Sequence, residues 1–242
     1  MKRLHVSHSP NPDCPGGSAG VTIVINKELI HLEATTSTVL IPGRAIHVSI
    51  TWKNGLTLSI INTYAPNALA EHPSFWTALK NTCLMCSIPS PELLTGDFNI
   101  TDDPIDRAPA HPDPPTAVQA LREFRNTYNL SNYWCLSHPS DHTFTFHNNT
   151  NSMSRLNCIY ASPTMEHSLS SWDYSHTLIP SDHKMVTVRF APPQLPMIGK
   201  GRWTWPLGLL NDQDLTNTTL RLGQDLQSDI ENLPEVRSTV NP

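Results

Sequence analysis

The segment Glu92-Leu93-Leu94-Thr95-Gly96-Asp97-Phe98-Asn99, residues 92–99, decides the fold predicted for this chain. It begins as a short apolar run, which is typical of a buried strand, and it ends in a Gly-Asp turn. Polar side chains therefore follow the strand directly. Because strand ends and their loops converge on ligand sites in α/β sheets, Asp97 and Asn99 are candidates for such a site, although a plain turn would also explain the motif.

Apolar runs on either side of this segment predict further strands, after an opening that is polar and rich in Pro and Gly. Residues 20–26 form a β-branched run between turn formers, and residues 45–52 and 56–64 flank Lys53-Asn54-Gly55. The Asn-Gly pair predicts a β-hairpin there, because both residues tolerate positive φ. Short runs predict four more strands, near residues 143–147, 156–161, 174–179 and 184–190.

Two segments with a helical spacing of apolar residues lie between the predicted strands. The first covers about residues 73–86, and the second follows an Asp- and Pro-rich loop at residues 101–115. The predicted buried positions are Phe75, Leu79 and Cys83 in the first helix and Val118, Leu121, Phe124 and Tyr128 in the second. Helices between strands indicate an α/β fold in which helices cover the faces of a sheet.

The chain changes character after residue 190, so we expect one main domain over residues 1–190. Residues 191–206 are rich in proline, which fixes φ and lacks an amide donor, and they are predicted to form a linker. In residues 207–242, apolar side chains at helical spacing predict one amphipathic helix with a tail. That helix would need a partner surface for its apolar face.

Composition narrows the classes of function. The formal net charge of -5, with 16 Lys and Arg, argues against binding nucleic acid by charge alone, so any such contact should be local. The five irregularly spaced cysteines favour a reducing compartment. Because no apolar run reaches membrane length and no signal peptide is visible, we expect an intracellular protein without a membrane partner.

Four separated segments each end a predicted strand with polar residues. They are Asn62-Thr63-Tyr64-Ala65-Pro66-Asn67, Thr95-Gly96-Asp97-Phe98-Asn99, Ser154-Arg155-Leu156-Asn157 and Ser181-Asp182-His183. Together and in this order they resemble the endonuclease/exonuclease/phosphatase superfamily, the deoxyribonuclease-I-like fold, over about residues 17–190. Residues 199–206 (GKGRWTWP) are similar to the segment that joins this domain to a reverse transcriptase in fungal LINE-type elements. The resemblance thus narrows to the endonuclease domain of non-LTR retrotransposons.

This resemblance implies a four-layer α/β sandwich that nicks DNA for retrotransposition with Mg²⁺, or with Mn²⁺ as the alternative. Tyr64 and Asn99 would contact the scissile phosphate, and Asp97 would handle the proton of the attacking water. Asp182 would bind the metal, and His183 would complete the catalytic group. Such a site agrees with general chemistry, since Mg²⁺ takes carboxylate and phosphate oxygens and polarises the phosphoryl group.

The resemblance also assigns supporting roles. Thr145, or Thr143 in an alternative register, would help to order the site, and Asn157 would occupy the position of a catalytic aspartate. The residues expected to bind substrate are Asn67, Ser181 and Arg155.

Two departures from the family pattern predict impaired activity. The family opens with a strand that carries an Asn, and a later strand ends in a metal-binding Glu, yet the sixteen residues before Gly17 contain no Glu. We therefore expect a domain that lacks its first strands, with exposed sheet edges and weaker Mg²⁺ binding. Asn157 keeps the shape of an aspartate without its charge, and by analogy with a serine-protease triad it would leave the histidine in the wrong tautomer.

Two other functions stay open. A catalytically inactive remnant would at most bind nucleic acid or a protein, and a phosphatase or abasic-site nuclease of the same superfamily is a third candidate. In a complete element, a reverse-transcriptase domain would be the partner and the nucleus would be the compartment.

Overall fold

A computed structural model of the chain describes residues 3–17, 19–149, 151–178, 180–191 and 213–232. The chain divides into two units, Met1–Leu195 and Pro196–Pro242. The strands of the first unit are β1 Leu4–Pro10, β2 Gly20–Asn26, β3 Thr36–Ile41, β4 Ala45–Thr51, β5 Thr57–Tyr64, β6 Leu93–Asp97, β7 Arg107–Ala108, β8 Phe146–His147, β9 Met153–Ser154, β10 Asn157–Ala161, β11 Leu169–Ser175 and β12 Met185–Phe190. Its helices are α1 His72–Met85, α2 Pro115–Thr127 and α3 Tyr133–Ser137.

The centre of the first unit is a five-stranded sheet in the order β10-β6-β5-β4-β3. Its strands pair antiparallel except β5 and β6, which are parallel. A parallel pair needs a crossover connection, and α1 supplies it. This helix has Pro73 in its first turn, where the missing amide hydrogen is tolerated, and it buries Phe75, Leu79 and Cys83 on one face.

The two faces of the central sheet are covered by different layers. On one face, α1 and α2 pack through Trp76, Leu79 and Phe124 against Ile61 and Leu94 of the sheet. On the other face lie two hairpins, β1–β2 over β4 and β5 and β11–β12 at the β10 side. The helix layer, the central sheet and the hairpin layer form an α/β sandwich, which is the class of fold that the sequence predicts.

Most predicted elements are confirmed with small shifts at their ends. β2 covers residues 20–26, and α1 and α2 coincide with the two predicted helices. Gly55, with a φ of 85°, closes the predicted hairpin between β4 and β5. The strand expected near residues 174–179 begins earlier, as β11, and the one near 143–147 shrinks to β8.

The opening of the chain is the main correction, because it contains a strand rather than only a polar loop. β1 pairs with β2 along its whole length, from Leu4 opposite Asn26 to Pro10 opposite Gly20. Its buried positions are Ser7 and Ser9, and the Ser9 hydroxyl accepts a hydrogen bond from the Gly43 amide at 2.8 Å. Serines at the buried positions hide the apolar alternation by which a strand is recognised.

The second unit contains α4 Gln213–Glu231, in the segment where helical spacing predicts an amphipathic helix. The predicted linker at residues 191–206, beyond Ala191, and the motif at residues 199–206 lie outside the described residues. Of the helices that the structure describes, none combines the length and the apolar character needed to cross a bilayer.

Gly96 allows β5 and β6 to approach at the end of the parallel pair. Its φ is +134°, and a Cβ atom built on it would lie 1.8 Å from the carbonyl oxygen of Thr63. Since that atom belongs to the backbone of the paired strand, rotation of a side chain cannot relieve the contact.

We predict that Gly96→Ala lowers the free energy of unfolding by roughly 3 kcal/mol, from strained φ together with overpacking against Thr63. Gly55→Ala is the matched control, because Gly55 also has positive φ but nothing lies within 4 Å of its Cβ position. It should lose only about 1 kcal/mol. Urea unfolding of both variants measures the difference, and equal losses would show that the close approach to Thr63 is unimportant.

Candidate active site

Three of the predicted site residues lie side by side on the central sheet. In the parallel β5–β6 pair Tyr64 is the partner of Asp97, and in the antiparallel β6–β10 pair Asn157 is the partner of Asp97. Because side chains alternate between the faces of a strand, the three project to the same face, the one covered by the hairpins. The carboxylate of Asp97 is thus flanked by a phenol and an amide.

A cavity of about 450 Å³ opens between these strands and β12. Asp97, Asn157 and His183 line it, together with Asn62 and Thr95, which belong to two of the motifs but have no predicted role, and with Lys184, which lies outside the motifs. Asn62 and Thr95 precede Tyr64 and Asp97 by two residues, so strand alternation was the signal that could have identified them.

His183 is held by a hydrogen-bonded chain that fixes its tautomer. The Asn157 side-chain nitrogen donates to the Lys184 carbonyl at 3.2 Å, which turns the Asn157 oxygen toward His183. The His183 Nδ1–H donates to that oxygen at 3.1 Å, and Nε2 lies 4.0 Å from the nearer Asp97 carboxylate oxygen. The expected wrong tautomer is therefore not what this geometry favours: Asn157 selects the same Nδ1–H form that an aspartate would select.

Asp97 is a half-buried carboxylate in a mixed electrostatic environment. Burial raises the pKa of Asp97, and the charge of Asp182 raises it further. A hydrogen bond from the backbone N–H of Asn99 and the proximity of His183 lower the pKa. The net direction is upward. A carboxyl whose pKa is raised is better able to accept a proton than an ordinary aspartate.

Tyr64 and Asn99 are oriented by hydrogen bonds of their own. The Tyr64 hydroxyl donates to Asn67 Oδ1 at 3.0 Å. Asn99 adopts a left-handed φ of 50°, its backbone N–H donates to Asp97 Oδ1 at 3.0 Å, and its side-chain nitrogen donates to the Ala65 carbonyl at 3.0 Å. These contacts connect the segment after β6 to the segment after β5.

Thr145 is the threonine that lies beside Asn157. It is completely buried, and its hydroxyl oxygen accepts from the backbone N–H groups of Leu156 and Asn157, each at 2.9 Å. Thr143 instead donates to the exposed carboxylate of Asp141 at 2.6 Å. Of the two registers that the sequence leaves open, the geometry favours Thr145.

The loop before β12 places the remaining residues of the Ser-Asp-His motif. Asp182 is exposed, and its carbonyl accepts from the His147 amide at 3.0 Å. The Ser181 hydroxyl accepts from the His183 amide at 3.0 Å, so Ser181 shapes the turn that carries the histidine. Asp182 and Ser181 both remain accessible to a ligand.

Arg155 does not join this group, and its position argues against the substrate-binding role predicted for it. Its side chain is 5% exposed, forms an ion pair with Asp106 and stacks over Trp134 with its guanidinium carbon 4.3 Å from the ring centroid. It borders a different cavity, of about 400 Å³. Arg155 therefore stabilises the packing of α3 on the loop that carries Asp106.

The carboxylates of the site were tested for their fit to the Mg²⁺ that the sequence predicts. Within the part of the chain that the structure describes, no three His, Cys, Asp or Glu side chains form a group that could hold a metal ion by themselves. Asp97 and Asp182 are close enough for the charge of one to act on the other. Mg²⁺ is commonly held by one or two carboxylates with phosphate and water, and these two residues fit that arrangement.

The first unit has the endonuclease/exonuclease/phosphatase fold. Its central sheet and hairpin layer superpose on solved structures of that fold. The endonuclease domain of the telomere-specific non-LTR retrotransposon TRAS1 superposes with a TM-score of 0.59 at 15% identity, over 78% of this chain and 81% of that domain. The AP endonuclease LMAP from Leishmania major has a TM-score of 0.63 at 14% identity, over 79% of this chain and 71% of that protein. At these identities the likeness shows the fold alone.

The chain is also a homologue of a transposon protein, the transposon TX1 uncharacterized 149 kDa protein of Xenopus laevis. The two sequences are 32% identical over 205 residues, which is 81% of this chain and 15% of the Xenopus protein. This chain thus corresponds to a small part of that relative. No family model matches the sequence.

We predict that Thr145→Val destabilises the protein by roughly 2–4 kcal/mol, because the buried N–H group of Leu156 and the partly buried N–H group of Asn157 lose their acceptor. Thr145→Ser is the matched control. It retains the hydroxyl and should lose only about 1 kcal/mol for the missing methyl group. Thermal or urea unfolding compares the two, and equal stability of the Val and Ser variants would contradict the role given to the hydroxyl.

Proposed function

We propose that the first unit is a metal-dependent endonuclease domain that hydrolyses a phosphodiester bond of duplex DNA. The observation that carries this proposal is the row of Tyr64, Asp97 and Asn157, completed by His183, at one end of the central sheet. The homology to a transposon protein supports the same activity in the context of a mobile element.

In the proposed reaction Asp97 accepts the proton of the attacking water. Its raised pKa and its place on the wall of the cavity suit it to that role. His183 presents Nε2 beside the Asp97 carboxylate, while its Nδ1–H remains bonded to Asn157. His183 thus completes the group of polar side chains around Asp97.

Tyr64 and Asn99 are proposed to contact the scissile phosphate, and the Tyr64 hydroxyl would then exchange its Asn67 acceptor for a phosphate oxygen. The second N–H of the Asn99 amide is available for a phosphate oxygen, since the first donates to Ala65. Asp182 would hold Mg²⁺, with Mn²⁺ as the alternative, and the bound cation would polarise the phosphoryl group. Asn67 holds the Tyr64 hydroxyl and Ser181 shapes the turn at His183, so both are positioned at the edge of the substrate site.

The wider context is also a proposal. A reverse-transcriptase domain would belong to the same element, and the nucleus would be its compartment. The fungal origin stays a prediction.

We predict that the purified chain nicks supercoiled plasmid with Mg²⁺, that EDTA abolishes nicking, and that Asp97→Asn lowers the rate about 100-fold or more. Asp173→Asn is the matched control, because Asp173 is an exposed aspartate on β11. It should nick at the rate of the unchanged chain. Circular dichroism confirms folding in every case, and gel electrophoresis of the plasmid forms measures the rate.

The same assay separates the rival functions. A folded chain that does not nick under any of these conditions would be the inactive remnant, and the endonuclease proposal would be wrong. Faster cleavage of a duplex with one abasic site, or release of a 3′-phosphate without nicking of intact DNA, would assign the chain to the repair or phosphatase branch instead.

We predict that Asn157→Asp raises the nicking rate by roughly 10- to 100-fold. That gain is smaller than the ~10⁴-fold effect known for a triad aspartate, because Asn157 already selects the Nδ1–H tautomer and only the countercharge is missing. The variant should also be less stable by about 1 kcal/mol, since the Lys184 carbonyl loses its donor.

Asn149→Asp adds the same charge at an exposed position and is the control for a general electrostatic effect. If both substitutions change the rate equally, or if Asn157→Asp leaves it unchanged, the countercharge at residue 157 does not limit the reaction.

A further inference from the structure

Arg44 contacts the residues that flank the proposed phosphate site, although it belongs to none of the four motifs. It directly precedes β4, and its guanidinium carbon lies 4.8 Å from the centroid of the Tyr64 ring. Its Nη1 donates to the Ala65 carbonyl at 3.3 Å and to the Tyr64 carbonyl at 3.5 Å. One side chain therefore holds both the ring of Tyr64 and the backbone that follows it.

The backbone of Arg44 reinforces this contact. Its carbonyl accepts from the Tyr64 amide at 2.8 Å and from the Thr63 hydroxyl at 3.2 Å. The main chain and the side chain of Arg44 thus both bind the end of β5, at Tyr64 and the residue that follows it.

The backbone of Ala65 connects Arg44 to Asn99 and Asp97. Its carbonyl accepts from Arg44 and also from the Asn99 side chain, at 3.0 Å for the latter. Its N–H donates to the Asp97 carbonyl at 2.9 Å. A shift of Ala65 would therefore move the side-chain amide of Asn99 and strain the turn after Asp97.

We propose that Arg44 is a positioning residue that sets the Tyr64 hydroxyl and the Asn99 amide at the separation needed to bind one phosphate group. This inference rests on the proposed endonuclease function. A lysine cannot replace Arg44 in this role, because only a planar guanidinium stacks on a ring and donates in its own plane at the same time.

The experiment compares Arg44→Lys and Arg44→Ala in plasmid nicking, with kcat and KM determined separately and rates corrected for the folded fraction. Both variants should lose kcat by roughly 10- to 100-fold, as expected when reacting groups are displaced by about 1 Å. KM should change little. Arg122→Ala is the matched control, since Arg122 is a half-exposed arginine of α2 paired with Asp102.

A second readout needs neither DNA nor metal. In ¹⁵N-labelled protein the side-chain amide resonance of Asn99, assigned by its absence in Asn99→Asp, should shift in both Arg44 variants and stay in place in Arg122→Ala.

The outcomes separate the two proposals. If Arg44→Lys keeps the original kcat and Arg44→Ala raises only KM, Arg44 serves as a charge that attracts DNA. The positioning role proposed for Arg44 would then be wrong. Unshifted Asn99 resonances in both Arg44 variants would also overturn it. If the unchanged chain does not nick, the endonuclease function fails, and the Asn99 resonance alone decides whether Arg44 holds the amide.

Discussion

The register of β6 between its two neighbours is the constraint on which the site depends. Asp97 is paired with Tyr64 on the parallel side and with Asn157 on the antiparallel side. Neighbouring strands lie about 4.8 Å apart, so three functional groups are placed within two strand spacings without any contribution from loops. A slip by one residue would turn the Asp97 side chain to the helix-covered face. Gly96, pressed against the Thr63 carbonyl, is part of what makes this register achievable.

The groups that surround this row are placed by long-range contacts. Thr145 binds the amides at the start of β10, and Lys184 binds the Asn157 side chain through its carbonyl. Arg44 reaches Tyr64 from the start of β4. Each contact joins segments that are distant in the chain, so the site is ordered only when the sandwich is assembled.

This dependence explains what the sequence could and could not predict. The apolar run of β6, the Asn-Gly hairpin and the spacing of Phe75, Leu79 and Cys83 are local patterns, and the structure confirms the elements predicted from them. β1 was missed because its buried positions carry serine. The substrate-binding role predicted for Arg155 rested on its neighbours along the chain. Its ion pair with Asp106 and its stacking on Trp134 form only in the folded protein, so the sequence could not show them. Arg44 offered no signal, since its partners come from two other segments.

Asn157 shows how stability and charge oppose each other in this site. An aspartate at residue 157 would be the strand partner of Asp97, and two carboxylates in a half-buried place raise each other's pKa and disfavour the charged forms. It would also face the Lys184 carbonyl, to which Asn157 now donates. The amide removes the repulsion, satisfies that carbonyl and still accepts from His183, but it provides no countercharge for a protonated imidazole. The chain thus holds His183 in its Nδ1–H form within a network that is neutral at residue 157, and Asp97 is the carboxylate closest to that imidazole among the ion pairs the structure describes. Asn157 thus holds one ring nitrogen of His183 and Asp97 faces the other, which brings together the two groups that the proposed reaction uses.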